Sequence, residues 1–437
     1  MHYFDKTILP QKVHLSGSDC FHLVLDKHAK NHNSGGNVMR IVFYFNKPLP
    51  VQKIKDILQQ SPVIYWLCNI KLVPGSLFKI PYWKFEDLGK NIIIKEFTHT
   101  IEEDIPDFIL NEDIPVDAER FVSCDIIHYT SGHCVLVFSW NHILMDGKGI
   151  GMLINHLNET DNTHGNQVQR FFPAIEKKAS IISYIRNMYK VKRFIQASSK
   201  TPISSVAGKN SKSVQHFKNK IIFFTGEETQ LIAENAFKNG ARFGPNLFYL
   251  SCCTHIVNTI NQQNKKEGAI WLPIPYDGRL KGSFGPIISN FVAYLFYRLP
   301  TSALTNVKET VSCLNKQMAA QLKINMPQQY TMLLNMMRHI PIGLYYFLIN
   351  RTGEGSIASF LYSSTGDNFN AITELFNEPV SRLSIFPSST FPPGLTFSFL
   401  KHAGALNINI AYSPDIISNI ELDTIEKGLK DLLLANY

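Results

Sequence analysis

Residues 131–157 read SGHCVLVFSWNHILMDGKGIGMLINHL, and the way this stretch divides decides the fold. Residues 133–140 form an unbroken run rich in Val, Phe, Trp and Cys, the composition of a strand buried on both faces. A central strand is therefore expected here. Asn141 and His142 follow at once, then Asp146 and Gly147, then Ile150, Met152, Leu153 and Leu157 at helical spacing, opened by glycines. His142 should leave the strand at a turn, where a rigid scaffold can aim a side chain into a cleft. An imidazole acting as a base needs a fixed ring orientation and tautomer, and Asp146, four residues on in a tight turn, can hold the loop that carries it. Gly147 leaves room for a substrate beside the ring. A strand-end histidine satisfied by backbone groups is the structural alternative.

The pattern HxxxDG after a buried strand resembles the signature of the acyltransferase superfamily that holds chloramphenicol acetyltransferase, carnitine acyltransferases, plant BAHD enzymes, condensation domains and bacterial wax ester synthases. Many members read HHxxxDG; here Asn141 stands at the first histidine. The resemblance implies an α/β fold of two chloramphenicol acetyltransferase-like domains, a pseudo-dimer with an interdomain tunnel, and His142 as the general base.

At 437 residues the chain exceeds one ordinary core and should form two domains. Hydrophobic residues at 45% and charged residues at 18% describe an ordered globular protein. The opening MHYFDKTILPQKVHL has no basic segment followed by an apolar one, so a cytoplasmic location is expected. Seven cysteines are scattered without CxxC or zinc spacing and read as reduced, buried side chains. No metal or redox cofactor is expected. Residues 340–349, apolar but only ten long with a Pro and a Gly, cannot cross a bilayer and read as a buried helix rather than an interfacial contact.

Along the chain, residues 15–21 offer a capped helix start, 37–45 a strand, 51–58 a helix after Pro50, and 92–97 another strand. The opening LSGSD at 15–19 and the PYW at 81–83 resemble pieces found in the same order in wax ester synthases, the branch this chain most resembles. Residues 177–220 carry eleven Lys or Arg and no Asp or Glu, so with a net charge of +8 the rest of the chain sums to −3. Within this stretch Ile181, Ile182, Ile185, Met188 and Tyr189 recur at helical spacing while Arg186, Lys190 and Arg193 share another face. The segment divides an N-terminal domain, 1–176, from a C-terminal one, 221–437. A solvated linker, an anionic membrane surface and the phosphates of coenzyme A remain open as its purpose. Nucleic acid is disfavoured, since aromatics do not interleave with the basic residues.

Beyond the connector, 221–224 reads as a strand, 227–236 and 240–261 as helices, 269–275 as a strand and 285–299 as a strand region. His255 sits among apolar neighbours and reads as core. The GR at 278–279 resembles the family segment whose Arg pairs with the Asp of HxxxDG. Arg279 is therefore expected to ion-pair with Asp146, a guanidinium offering two parallel donors to a carboxylate. Asn290 matches a family asparagine near the substrate. Residues 394–400 and 406–412 read as a hairpin and 420–434 as a terminal helix.

The resemblance implies transfer of an acyl group from acyl-coenzyme A, as co-substrate, to a hydroxyl or amine acceptor, without a covalent enzyme intermediate. An acyl carrier protein is the alternative donor, and a non-catalytic binding protein of the same fold the alternative class. Oxyanion or substrate donors are expected among Asn141, Asn290, Ser363 and a backbone amide near Gly147. Arg186, Lys190 and Arg193 are the candidates for coenzyme A phosphates or a peripheral membrane contact.

Overall fold

The computed structural model describes residues 4, 6–32, 36–102, 105–159, 164–174, 189, 191, 202–207, 216–279, 282–283, 285–350 and 357–437. Sixteen strands are described: β1 Lys12–His14, β2 Val38–Phe45, β3 Ile70–Val73, β4 Tyr82–Phe85, β5 Ile94–His99, β6 Val122–Tyr129, β7 Cys134–Asn141, β8 Lys218–Phe223, β9 Ile270–Asp277, β10 Val292–Leu299, β11 Leu361–Ser364, β12 Glu374–Leu375, β13 Glu378–Pro379, β14 Arg382–Phe386, β15 Leu395–His402 and β16 Ala405–Tyr412. Two large sheets organise the chain. The first runs β14-β2-β7-β6-β5 and the second β11-β15-β16-β8.

β7 is the central strand of the first sheet, paired antiparallel with β2 and β6. Its eight residues are all buried. Leu136, Phe138 and Trp140 face a core completed by the helices Gly17–Asn31, Val51–Gln60, Pro62–Cys68 and Gly147–Asn158, while Val135 and Val137 face a smaller core with Val42, Tyr44, Ile127 and Phe386. An unbroken apolar run is what a strand covered on both faces requires. The second sheet packs against the helices Gly226–Lys238, Asn246–Gln263 and Asn419–Leu434, and the ribbon β9–β10 abuts it through the Ser359 N–H to Trp271 carbonyl bond (2.9 Å).

The fold is α/β with two sheet-centred halves, as expected. One strand disregards the expected boundary: β14, from the C-terminal half, forms the edge of the first sheet beside β2. Asn407 and Asn409 on β16 donate their side-chain amides to the Leu383 and Ile385 carbonyls of β14 (2.8 and 3.0 Å), tying the two sheets together. The basic candidates Arg186, Lys190 and Arg193 lie outside the described residues.

The apolar stretch near 340 is a helix, Ile342–Asn350, but a half-buried one. Tyr345 is enclosed, whereas Leu344, Phe347 and Leu348 are exposed. The buried-helix expectation is corrected because the residues of the outer stripe, one turn apart, stay exposed among the described residues. All seven cysteines are free. Burial pushes the Cys134 thiol up to about 11 and the Cys68 thiol up to about 12, so neither supplies a thiolate at neutral pH. Among the described residues no helix is long and apolar enough to cross a membrane, and no group of His, Cys, Asp or Glu is arranged to hold a metal ion.

Candidate active site

His142 occupies the turn at the end of β7. Its main chain is pinned on both sides: the N–H donates to the Asn37 carbonyl (2.8 Å), and its carbonyl accepts from Asn290 Nδ2 (2.9 Å). The ring is half-buried, with Nδ1 sealed from solvent and unpartnered. Burial lowers the imidazole below its ordinary value of 6.5, partly opposed by its own main chain, by Asp146 and by Asn290. A neutral imidazole at neutral pH is the form a general base requires.

Against this ring lies a second imidazole, one that no sequence motif announces. His22, in the helix Gly17–Asn31, stacks on His142 with centroids 4.0 Å apart and planes 27° from parallel. His22 is buried, and burial first, then the neighbouring His142, hold its titration well below the ordinary range. Asn37 Nδ2 lies 3.2 Å from His22 Nδ1 and also donates to the His22 carbonyl. Asn37 thus holds His22 through its side chain and His142 through its carbonyl.

Asp146 caps the helix Gly147–Asn158: Oδ1 accepts from the Lys148 and Gly149 N–H groups (3.1 and 2.9 Å). Its other oxygen, Oδ2, accepts from Arg279 Nη1 (2.8 Å) and the Phe291 N–H (2.9 Å). The expected pair with Arg279 is present, and both side chains are almost fully enclosed. The two-pronged geometry is not, because Oδ1 is committed to the helix end. Arg279 turns Nη2 to the Pro286 and Ser289 carbonyls instead and stacks over the Phe291 ring.

Asn290 and Asn141 are corrected from substrate donors to scaffold. Asn290 Nδ2 is shared among Asp19 Oδ1 (2.9 Å), the His142 carbonyl and the Ile143 carbonyl (3.1 Å), leaving no N–H for a substrate. Asn141 is fully buried, its Nδ2 donating to the Ile114 carbonyl and its Oδ1 accepting from the Ile143 N–H. Both polar ends of the Asn141 side chain are thus spent on the backbone that shapes the turn. Asp19, from the LSGSD opening, is the hub on the other side: it accepts from the Ser289 hydroxyl (2.8 Å) and the Asn290 N–H (2.7 Å). Burial raises this carboxyl, the hydrogen bonds opposing it. Ser289, at φ 103°, carries the backbone across the seam in a conformation that costs an L-residue strain.

Gly147 borders open space: a Cβ there would meet only Thr365 Cγ2, at 4.0 Å. Thr365 directly follows β11, which carries Ser363, half-buried, two residues earlier. His255 bonds through Nε2 to Thr310 Oγ1 (2.9 Å) within its own half, apart from this site. His142 and Asp146 from one half, and Arg279, Ser289 and Asn290 from the other, thus meet at the seam between the sheets. Asp19 and His22 of the first helix complete the assembly.

No protein-family model matches the sequence, and no curated protein matches it. Solved structures do. The first condensation domain of the CDA synthetase superposes over 97% of this chain and 96% of its own with a TM-score of 0.69 at 12% identity. The trichothecene 15-O-acetyltransferase TRI3 from Fusarium sporotrichioides matches over 97% and 95% with a TM-score of 0.66 at 12% identity. Polyketide synthase associated protein 5 from Mycobacterium tuberculosis matches over 98% and 100% with a TM-score of 0.61 at 14% identity. The fold is therefore of the chloramphenicol acetyltransferase-like, condensation-domain type. These likenesses do not single out the wax ester synthase branch.

Proposed function

We propose that this chain is an acyltransferase that moves an acyl group from a thioester to a hydroxyl or amine, with His142 as the base. The supporting observation is the neutral His142 imidazole, with its backbone held by Asn37 and Asn290, at the seam of a condensation-type fold. With the proton of the neutral ring on Nδ1, Nε2 carries the lone pair. It takes the proton of the acceptor O–H or N–H as that atom attacks the thioester carbonyl. When the C–S bond breaks, the same proton passes to the departing sulfur, and His142 returns to neutral. Holding both substrates in the seam supplies much of the rate, and base catalysis contributes on the order of a hundred- to ten-thousand-fold.

Asp146 and Arg279 position the loop and take no part in the proton transfer. With Asn290 and Asn141 committed elsewhere, and the Lys148 and Gly149 N–H groups donating to Asp146, the oxyanion falls to the Ser363 hydroxyl or to another backbone amide near Gly147. Acyl-coenzyme A is the proposed donor and a lipid-like or aromatic alcohol the acceptor. A carrier-bound donor is the second reading, favoured by the condensation-domain structures among the matches. The test is thiol release from a panel of acyl-coenzyme A and acyl-carrier donors with mixed alcohols and amines, comparing wild type with His142→Ala. Acceptor-dependent release that disappears in the variant supports the reading. Release from neither donor class overturns it in favour of a non-catalytic binding protein.

A further inference from the structure

Two anomalies lie side by side. The first is a tight turn in which Ser76 and Lys79 exchange backbone bonds (3.1 and 2.9 Å), leaving Leu77 and Phe78 at the tip. Two-residue hairpin tips normally carry Asn, Asp or Gly. Here Phe78 takes φ 64°, a rare conformation for a bulky residue, and both side chains are thrown outward, 58% and 80% exposed. The second is the helix Ile342–Asn350, which has no charged residue. Its inner stripe packs on the core through Tyr345, while Leu344, Phe347 and Leu348, at i, i+3 and i+4, point out. A bond from the Phe78 N–H to the His339 carbonyl (2.9 Å) joins the turn to the approach of this helix.

Basic residues predominate in the segments that carry the two. Residues 57–85 and 310–353 contain no Asp or Glu and include Lys71, Lys79, Lys84, Lys316, Lys323 and Arg338; Lys71 and Lys84 are paired with Glu86 (2.6 and 2.8 Å), while Lys79 stands exposed at the turn. The neighbouring helix Gly17–Asn31 shows Lys27 at the surface, with Nζ over the Tyr346 ring, and buries its Asp19 and Asp26. Apolar side chains on a short helix, beside the exposed Lys27 and Lys79, suit the boundary between acyl chains and anionic headgroups. A second copy of this chain would bring the same positive charges together and is disfavoured.

We propose that this face docks on an anionic membrane, with Leu77, Phe78, Leu344, Phe347 and Leu348 entering the interface and Lys27 and Lys79 meeting the headgroups. The helix lies in the plane of the surface, since nine residues cannot span it. This docking is independent of the reaction, so its failure leaves the acyl-transfer reading untouched. The test is flotation of the full chain with vesicles of pure phosphatidylcholine and of an equimolar phosphatidylcholine–phosphatidylglycerol mixture. Wild type should float with the mixed vesicles and be released by salt. Leu344→Ser with Phe347→Ser should weaken binding at least tenfold, and Lys27→Glu with Lys79→Glu should do the same without touching the apolar residues. Phe78→Trp should shift its emission to the blue with mixed vesicles alone. Wild type that does not float, or serine variants that float equally well, would overturn the proposal. So would a wild-type dimer by light scattering that the serine variants convert to monomer with no vesicle binding.

Discussion

The imidazole of His22 lies on that of His142, 4.0 Å between centroids, and the two rings come from elements 120 residues apart in the chain. A buried, neutral His22 fixes the plane of the base through its face, while Asn37 fixes both. Replacing His22 by Ala removes that wall, and the His142 ring gains freedom it must lose again in the transition state. The expected result is a fall in kcat of about ten- to a hundred-fold with KM little changed, a fraction of the full value of a general base. His22→Phe, which restores a flat ring, should recover most of the loss. Because burial lowers the His142 imidazole, the acid limb of kcat/KM should lie below pH 6.5 in the wild type and move up toward that value in His22→Ala. An unmoved limb would show that His22 does not shield the base.

Asp146 divides its two oxygens between a helix cap and a buried guanidinium. Removing one partner of a buried pair leaves the other uncompensated, at about 3–5 kcal/mol. Asp146→Ala should therefore lower stability by about that much in urea titrations. Asp146→Asn keeps an oxygen for the Gly149 N–H and should lose roughly 1 kcal/mol less, the worth of the cap. Equal losses in the two variants would show that the cap contributes nothing.

Gly147 and Gly149 look alike in the sequence and differ in the structure. A Cβ at Gly149 would lie 2.6 Å from the Ile287 carbonyl oxygen and 2.9 Å from Met145 Cβ, so Gly149→Ala must displace backbone and should lower the melting temperature by several degrees. A Cβ at Gly147 meets only Thr365, at 4.0 Å. Gly147→Ala should melt like wild type, yet place a methyl in the open space toward Thr365 and raise KM for the acceptor. A Gly147→Ala variant with unchanged kinetics would place the substrate elsewhere.

The central strand and its histidine were legible because their signals are local: eight residues buried on both faces, then a turn with fixed spacing. The Asp146–Arg279 pair was legible only through the family pattern, since the two residues are 133 positions apart. His22 was not legible. In a weakly amphipathic helix of mixed polar and apolar residues, nothing local separates an enclosed histidine from an exposed one. Asn290 and Asn141 were misjudged for a related reason: an asparagine can donate to a substrate or to the backbone, and the choice depends on carbonyls 148 residues away in one case and 27 in the other. The transfer of β14 into the first sheet was invisible because a short apolar strand does not state which edge it completes.

Several buried histidines make the fold sensitive to acid, and His28 offers the cleanest measurement. Both its ring nitrogens are sealed from solvent, and burial, with His32 adding to it and the Pro392 and Phe391 main chain opposing, lowers its titration from 6.5 to about 4. The unfolded chain binds a proton at His28 near pH 6.5, whereas the folded chain resists until about pH 4. Stability from His28 is thus complete above pH 6.5 and lost progressively as pH falls from 6.5 to 4, by about 3 kcal/mol in all, at roughly 1.4 kcal/mol per pH unit. Asp125 acts with the opposite sign. Burial raises its carboxyl from 3.8 to about 6, so its contribution is present below pH 3.8 and lost as pH rises through 6. The two nearly cancel between pH 4 and 6, and wild-type stability alone does not separate them. Two variants do. His28→Phe keeps a ring in the same space beside Tyr346 and should flatten the acid loss. Asp125→Asn should steepen that loss, and at pH 8 should be the more stable by about 2–3 kcal/mol. Urea midpoints from pH 4 to 8 for wild type and both variants decide it: parallel curves would mean that neither group titrates differently in the folded and unfolded chains.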